Sequence, residues 1–306
     1  MPTIHPTYLP FAADDLKEHL LADAEAHIGY FETSAQRALA AAERGPARTP
    51  QERRREPYDR QIEKDERFWT ASSLMALAHS GDAPQAFREL VRRAFPSASA
   101  DVVDAWLAAI TDDVKLYFEV DLPSPASYRN HLREHIHERH LLPYAVERVV
   151  EGRTRGEGPT QVDGLVVDPG TGFAVIIEAK VLSDVSYQVS YDVFRNQIAR
   201  NLDVLLERNE RATSPVNLRD PGKTLFMLLT PRCFQDQPAS RLYGHLMEEY
   251  RSDSSTLARD LPHRSPAELA GLRERIGWVT FEDIREICPG ACAWLAPAAG
   301  MQDAQT

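Results

Sequence analysis

Two acidic residues and a lysine stand at a spacing that suits phosphodiester chemistry. Asp163 is followed, after a turn signal, by Glu178 and Lys180 at the end of an apolar run. Carboxylate oxygens are ligands that Mg²⁺ accepts in proteins, and an ammonium group can stabilise negative charge that develops in a transition state. If the fold gathers these side chains on one patch, the sequence predicts a site for a divalent cation and a phosphodiester.

The elements that carry these residues are predicted to form a β-hairpin. Two segments rich in Val, Ile and Phe, residues 161–168 and 173–181, flank a Pro-Gly-Thr-Gly turn. If the last residue of the first segment pairs with the first residue of the second, Asp163 lies directly opposite Glu178. Facing carboxylates repel each other, and a bound cation would convert that repulsion into attraction. A slip of one residue would send Asp163 to the other face of the sheet.

The plainer alternative is that these residues are ordinary strand-end charges on the surface, where ion pairs contribute little. The run Val175-Ile176-Ile177 favours a buried strand instead. Charge at the end of a buried strand needs a compensating partner, and this favours the functional interpretation.

At this point the chain resembles a known family. Asp163, fourteen intervening residues and then Glu178-Ala179-Lys180 are similar to the core signature of the PD-(D/E)xK nuclease superfamily, which has the restriction-endonuclease-like fold. Val162 stands where the nominal motif has proline. The similarity extends over about residues 127–288 and is most specific at the hairpin.

The resemblance implies a set of roles for individual residues. Asp163, Glu178 and the backbone carbonyl of Ala179 would hold Mg²⁺ or Mn²⁺. Lys180 would orient or deprotonate the attacking water, or stabilise the developing oxyanion. Gln197, in the predicted helix 189–208, stands where several branches of the superfamily carry a site glutamine, and it would position water or the scissile phosphate.

The superfamily's first core helix often contributes a glutamate as well. Residues 127–141 are predicted to be helical and offer Glu134 and Glu138, between which the sequence does not decide. The same helix carries His131 and His135 one turn apart, a spacing that can hold a metal. They flank an apolar stripe, so ordinary helix-face histidines are favoured.

The whole chain is predicted to be an α/β protein in three parts. Residues 1–123 form a helical accessory region that shapes substrate access or binds a protein partner. Residues 124–295 form a restriction-endonuclease-like mixed sheet flanked by helices, and residues 296–306 a disordered tail. The strands expected besides the hairpin lie at 146–150, 224–230 and 276–280.

Composition sets further bounds. The 306 residues are 43% hydrophobic and 26% charged, as in ordinary globular proteins. The sequence has no apolar run long enough for a bilayer and no secretion signal at its start. Its three cysteines favour a reducing compartment, so a cytoplasmic protein is expected.

The net charge of −11 argues against a protein that coats nucleic acid nonspecifically. A nuclease needs only local positive charge, and its metal-binding carboxylates add to the acidic count. The candidate phosphate contacts near the predicted core are Arg195, Arg200, Lys223 and Arg232, although for each one taken singly a solvated surface charge is the favoured interpretation.

The expected function is therefore a metal-dependent nuclease that hydrolyses phosphodiester bonds of DNA, with RNA as a second substrate. Defence against foreign DNA is a context suggested by analogy alone. The alternative is a catalytically silent nucleic-acid-binding or assembly protein that retains the fold. A third interpretation is an interaction protein whose nuclease acts only when a partner binds the N-terminal helices.

Overall fold

The structure, a computed structural model, describes residues 2–44, 49–59, 61–154, 156–186, 191–208, 212 and 214–295. Within these ranges the chain is an α/β protein with fourteen α-helices, a two-stranded sheet and a five-stranded mixed sheet. The predicted tail, residues 296–306, lies outside the described residues.

The part of the chain before residue 115 is mostly helical, as its alanine- and glutamate-rich sequence predicts, but it begins with a short antiparallel hairpin. A 3-10 turn, Gln61–Lys64, leads into the helix that begins at Glu66. The elements are β1 (Thr3–His5), β2 (Leu9–Ala12), α1 (Ala13–Lys17), α2 (Ala24–Arg44), α3 (Pro50–Asp59), α4 (Glu66–Ala78), α5 (Ala83–Ala94) and α6 (Ala100–Ala108).

The five-stranded sheet has its strands in chain order, antiparallel in its first half and parallel in its second. A tight turn joins the two antiparallel strands of the predicted hairpin, and helices cross over between the parallel strands, as parallel pairing requires. The strands are β3 (Lys115–Leu122), β4 (Thr160–Val167), β5 (Ala174–Ala179), β6 (Thr224–Thr230) and β7 (Ile276–Thr280).

Eight further helices follow β3. They are α7 (Ala126–Arg139), α8 (Pro143–Val150), α9 (Gln197–Leu205), α10 (Arg232–Asp236), α11 (Leu242–Ser252), α12 (Ser254–Asp260), α13 (Pro266–Leu272) and α14 (Phe281–Ile287). Short 3-10 turns lie at Val216–Leu218, Pro221–Lys223, Pro238–Ser240 and Arg273–Arg275.

The sheet lies between two helical layers, because its central strands are apolar on both faces. On one face Val175 and Ile177 share a core with Phe68 and Leu74 of α4. On the other face, Ile176 packs in a second core with residues of α9 and α11, including Ile198, Leu202 and Tyr243. The sequence predicted the whole sheet within residues 124–295. Residues 1–123, predicted as a helical region, in fact contribute the strand β3 and one of the two helical layers.

Several sequence predictions are confirmed and others are wrong. Strands at 224–230 and 276–280 are confirmed. The strand predicted at 146–150 is wrong: this segment lies in α8, where the buried residues Ala145, Val146 and Val149 follow helical spacing. Of the helix predicted over 189–208, residues 189–190 lie outside the described residues. The helix begins at Gln197, where the Asn196 side chain accepts a hydrogen bond from Ala199 N–H as an N-cap.

Candidate active site

The hairpin has the predicted register. Gly164 pairs with Ile177 and Val167 with Ala174, and the N–H of Asp168 donates to Phe173 O at 2.8 Å. A hairpin turn fixes register because the side-chain period of a strand is two residues. Continuing this pairing by one residue brings Asp163 opposite Glu178.

At this point the side chain of Asp163 bonds directly to the neighbouring strand. Its Oδ2 accepts the N–H of Ala179 at 2.7 Å. The carboxylate is thereby fixed against the end of β5, beside the residues that the sequence assigned to the site.

Glu178 is 1% exposed, and three side chains donate to its carboxylate. Lys180 Nζ and Gln197 Nε2 donate to Oε1 at 2.7 and 2.6 Å, and Asn201 Nδ2 donates to Oε2 at 2.9 Å. Gln197 and Asn201 are one turn apart at the start of α9, so both face the strand end. Sequence analysis placed Gln197 in the site but missed Asn201, which the i, i+4 spacing could have indicated.

Lys180 contacts both side chains and backbone of the predicted metal site. Besides Glu178, its ammonium donates to Ala179 O at 3.0 Å and lies 3.7 Å from Glu66 Oε2. Burial alone would lower the pKa of Lys180, but the carboxylates of Glu178, Asp163 and Glu66 outweigh it and raise the pKa above its usual value. Lys180 is therefore protonated at neutral pH.

The electrostatics of Asp163 are unfavourable in the absence of a further cation. Burial and the adjacent Glu178 carboxylate raise the pKa of Asp163 well above its usual range, against the opposing effects of Lys180 and the Ala179 N–H. Two carboxylates that repel each other at the end of a strand are the arrangement that a bound cation would relieve.

Two glutamates that the sequence did not indicate also face the site. Glu66, at the start of α4, accepts the Val181 N–H at 3.1 Å and a bond from the Ser183 hydroxyl. Glu134 and Glu138, the predicted helix glutamates, are instead exposed on α7. No local signal marks Glu66, because it lies far from the motif in the chain and tertiary packing brings it there.

Glu119 is the second, and its backbone explains its position. It adopts a left-handed φ of 52° between Phe118, which packs on the α4 side of the sheet, and Val120, which packs on the α9 side. Its neighbours Phe118 and Val120 pair with the residues on either side of Asp163. A non-glycine residue with positive φ is strained and tends to occur at functional sites.

The Glu119 side chain is only 7% exposed, and its Oε1 lies 3.4 Å from Arg67 Nε. Burial raises its pKa, and the Arg67 charge opposes this shift. The carboxylates of Glu119, Asp163 and Glu178 thus come from three adjacent strands.

One cavity of about 720 Å³ is lined by Glu66, Glu119, Asp163, Glu178, Lys180 and Gln197. Part of its lining comes from the first 123 residues, and part from the start of β4 and from Arg200 of α9. Besides Glu119, the N-terminal lining residues are Tyr30, Gln61, Lys64, Asp65, Glu66 and Arg67. The N-terminal part of the chain therefore builds the site as well as covering the sheet.

Of the four candidate phosphate contacts, Arg200 is the one found among the described residues that line this cavity. Lys223 Nζ donates to Thr171 O at 3.0 Å, and Arg232 pairs with acidic residues of α14. Arg195 is fully buried, bonds to Asp203 at 2.7 Å and stacks over the Tyr128 ring at 3.6 Å. The prediction that Arg195 contacts phosphate is wrong, because the side chain is used to fix the start of α9.

The oxygen atoms of the site are of the kind that the metal implied by the resemblance accepts. Within the part of the chain that the structure describes, no group of three or more His, Cys, Asp or Glu side chains is arranged to hold a metal ion; His131 and His135 belong to that part. The predicted ligands number two carboxylates and one carbonyl, all hard oxygen donors that fit Mg²⁺ or Mn²⁺. The Lys180 ammonium already contacts two of the three, Glu178 and Ala179.

Among the described residues, no helix is long and apolar enough to cross a membrane. Comparison of the chain with protein-family models, with curated proteins and with solved structures finds no match.

Proposed function

We propose that the chain is a metal-dependent nuclease that hydrolyses phosphodiester bonds, with DNA preferred over RNA. The observation that carries the proposal is the hairpin register, which brings Asp163, Glu178 and Lys180 to one cavity. The sheet order, with a helix layer on each face and the site at the end of β5, supports a restriction-endonuclease-like fold, and defence against foreign DNA is a fitting context by analogy alone.

In this proposal Asp163, Glu178 and the carbonyl of Ala179 hold Mg²⁺ or Mn²⁺. When bound, such an ion polarises the phosphate and lowers the pKa of a water molecule. A third carboxylate of the cavity, Glu119, adds negative charge beside Asp163, which favours a divalent cation over a monovalent one.

The protein's own groups then divide the remaining work. In the metal-free chain the neighbouring carboxylates raise the pKa of Lys180, and its ammonium suits the role of a donor that orients water or stabilises the developing oxyanion. A bound metal ion would offset the charge of those carboxylates, so deprotonation of the attacking water by Lys180 stays an alternative role. Gln197 and Asn201 both donate to Glu178 and fix its carboxylate in one orientation. The role expected for Gln197, positioning water or phosphate, becomes one of positioning Glu178.

The test is incubation of the purified chain with plasmid, single-stranded DNA and RNA in Mg²⁺, Mn²⁺ or EDTA. We expect cleavage in the two metals, none in EDTA, and none by Lys180→Ala. Lys115→Ala is the matched control, since Lys115 is exposed at the start of β3. A Lys180→Ala protein that cuts at the wild-type rate would contradict the assignment.

The second candidate is a catalytically silent nucleic-acid-binding or assembly protein with the same fold. The hydrogen bonds of Glu178 favour it, since both carboxylate oxygens already accept donors from this chain. Calorimetric titration with Mn²⁺ separates the two. The nuclease takes up metal and loses that uptake in Glu178→Gln, whereas the silent protein shows no uptake that depends on this carboxylate. A protein partner for the N-terminal helices remains compatible with either.

A further inference from the structure

The depth of the proposed site restricts what can reach it. Glu178 is 1% exposed and Lys180 5% exposed, so both lie at the floor of the cavity. Its volume of about 720 Å³ falls in the range of about 300–1,000 Å³ typical of small-molecule sites. A phosphate must enter this space to meet both groups.

A base-paired duplex is poorly suited to that entry. Enzymes that draw a nucleotide of a duplex into a pocket must unstack and unpair it, and this energy is smallest for a strand that is already single. The cavity is lined by Gln61, Lys64 and Arg67 of the N-terminal region and also by Pro159 and Arg200.

The charge of the cavity limits how much affinity phosphate neutralisation can supply, for a strand as for a duplex. Its lining contains five acidic residues, Asp65, Glu66, Glu119, Asp163 and Glu178, and four basic ones, Lys64, Arg67, Lys180 and Arg200. Duplex DNA carries about one charge per 1.7 Å of its axis, and proteins that bind it draw affinity from an excess of basic residues. This cavity has no such excess, so affinity must come from contacts other than phosphate neutralisation.

Tyr30 of α2 can supply such a contact. Its side chain lines the cavity and is 37% exposed. The hydroxyl donates to Asp65, and the Arg67 guanidinium lies 4.8 Å from the ring centroid. The ring is thereby fixed in orientation at the rim, and stacking of bases on aromatic side chains is the usual source of affinity for single strands.

We propose that the cavity takes a single polynucleotide strand in preference to a duplex, and that Tyr30 stacks on a base next to the scissile phosphate. This inference rests on the proposed nuclease function for its mention of a scissile bond. DNA and RNA strands both offer the base and the phosphate that Tyr30 and the cavity would contact, so either can be the ligand.

The test measures binding and cleavage separately. Fluorescence anisotropy in Ca²⁺ compares a labelled DNA strand, an RNA strand of the same sequence and a blunt DNA duplex, and cleavage of the same three is followed in Mg²⁺. We expect a strand to bind about tenfold or more tightly than the duplex and Tyr30→Ala to lose about tenfold of that affinity. Tyr30→Phe keeps the ring and the Arg67 contact but loses the hydrogen bond to Asp65, so it should lose less affinity than Tyr30→Ala.

Tyr144→Ala is the matched control. Tyr144 is 68% exposed on α8 and is not among the described residues that line the cavity. Thermal melting of each variant verifies that it is folded. If Tyr30→Ala does not fold, Tyr30→Phe still tests the contact.

Each outcome separates this inference from the nuclease proposal. A duplex that binds and is cut as well as a strand overturns the inference while leaving a nuclease, and so does Tyr30→Ala binding as Tyr144→Ala does. Strand-selective binding that needs Tyr30, without cleavage in any metal, supports the inference for binding and overturns the nuclease. Failure to bind any of the three substrates overturns both.

Discussion

Replacing Asp163 by asparagine should make the protein more stable without metal and less stable with it. The substitution keeps an oxygen that can accept the Ala179 N–H, which Asp163 now accepts at 2.7 Å. It removes the negative charge, which is unfavourable at this position. The raised pKa of Asp163 indicates this, and its causes are first burial and then the Glu178 carboxylate.

The size of the effect follows from the pair of facing carboxylates. Like charges directly opposite on neighbouring strands destabilise by up to about 1 kcal/mol. In EDTA we therefore expect Asp163→Asn to raise the free energy of unfolding by about 1 kcal/mol and Tm by about 2 °C. A ligand present at one hundred times its Kd stabilises the folded state by about 2.7 kcal/mol. In Mg²⁺ the wild type gains this amount and the variant does not, so the order of stability reverses.

The pH dependence has a definite sign. Because the pKa of Asp163 is raised on folding, the folded state binds this proton more tightly than the unfolded chain does. The stabilising contribution is fully present below the unfolded pKa of about 3.9 and is lost as pH rises through the folded pKa. The advantage of Asp163→Asn in EDTA should therefore shrink as the solution is acidified.

Chemical unfolding in EDTA and in Mg²⁺ at neutral pH measures these changes. Asp121→Asn is the control, because Asp121 is an exposed acid on β3 and should behave like wild type in both solutions. If Asp163→Asn is less stable than wild type in EDTA, the repulsion inferred from the site is wrong. If Mg²⁺ stabilises both proteins equally, Asp163 does not hold the ion.

Three other changes test the contacts around the site. Lys180→Ala should abolish cleavage and also destabilise the fold by about 3 kcal/mol, because it leaves a buried carboxylate without its ion pair; unfolding compared with Lys115→Ala measures it, and a stability equal to that control contradicts the pairing. Gln197→Ala removes a hydrogen bond to a charged group and should lower the free energy of unfolding by about 2 kcal/mol. It should also lower the cleavage rate and leave KM little changed. An unchanged rate would show that the Glu178 carboxylate needs no positioning. Gly172→Ala places a side chain at φ +74° with its Cβ about 3.1 Å from Asp220, so about 1–2 kcal/mol should be lost, whereas Gly170→Ala, with an ordinary φ, should cost less; equal losses would refute the strain argument.

Local signals carried most of what the sequence could predict. The turn and the side-chain period of two determined the hairpin register, and with it the positions of Asp163 and Glu178. The strands at 224–230 and 276–280 also follow from nearby residues, whereas Gln197 was indicated by the family resemblance.

The residues that sequence analysis missed come from distant parts of the chain. Glu66 reaches the site only because α4 packs on the sheet, and no motif records that packing. Glu119 lies in β3, whose buried residues Leu116 and Phe118 alternate as a strand should. That alternation was readable, but the left-handed backbone of Glu119, which redirects the second half of β3 to the other face, was not.

Lys180 links the stability of this site to its proposed chemistry. Burying several carboxylates together costs free energy unless an opposite charge lies beside them. The ammonium of Lys180 supplies that charge through contacts with Glu178 and Ala179. These two residues also provide oxygens that the proposed Mg²⁺ site requires. The ammonium and the metal ion would therefore compete for the same acceptors, and a metal that binds here must weaken the hydrogen bonds of Lys180. The weakening would free the amine of Lys180 to act on a phosphate or on water.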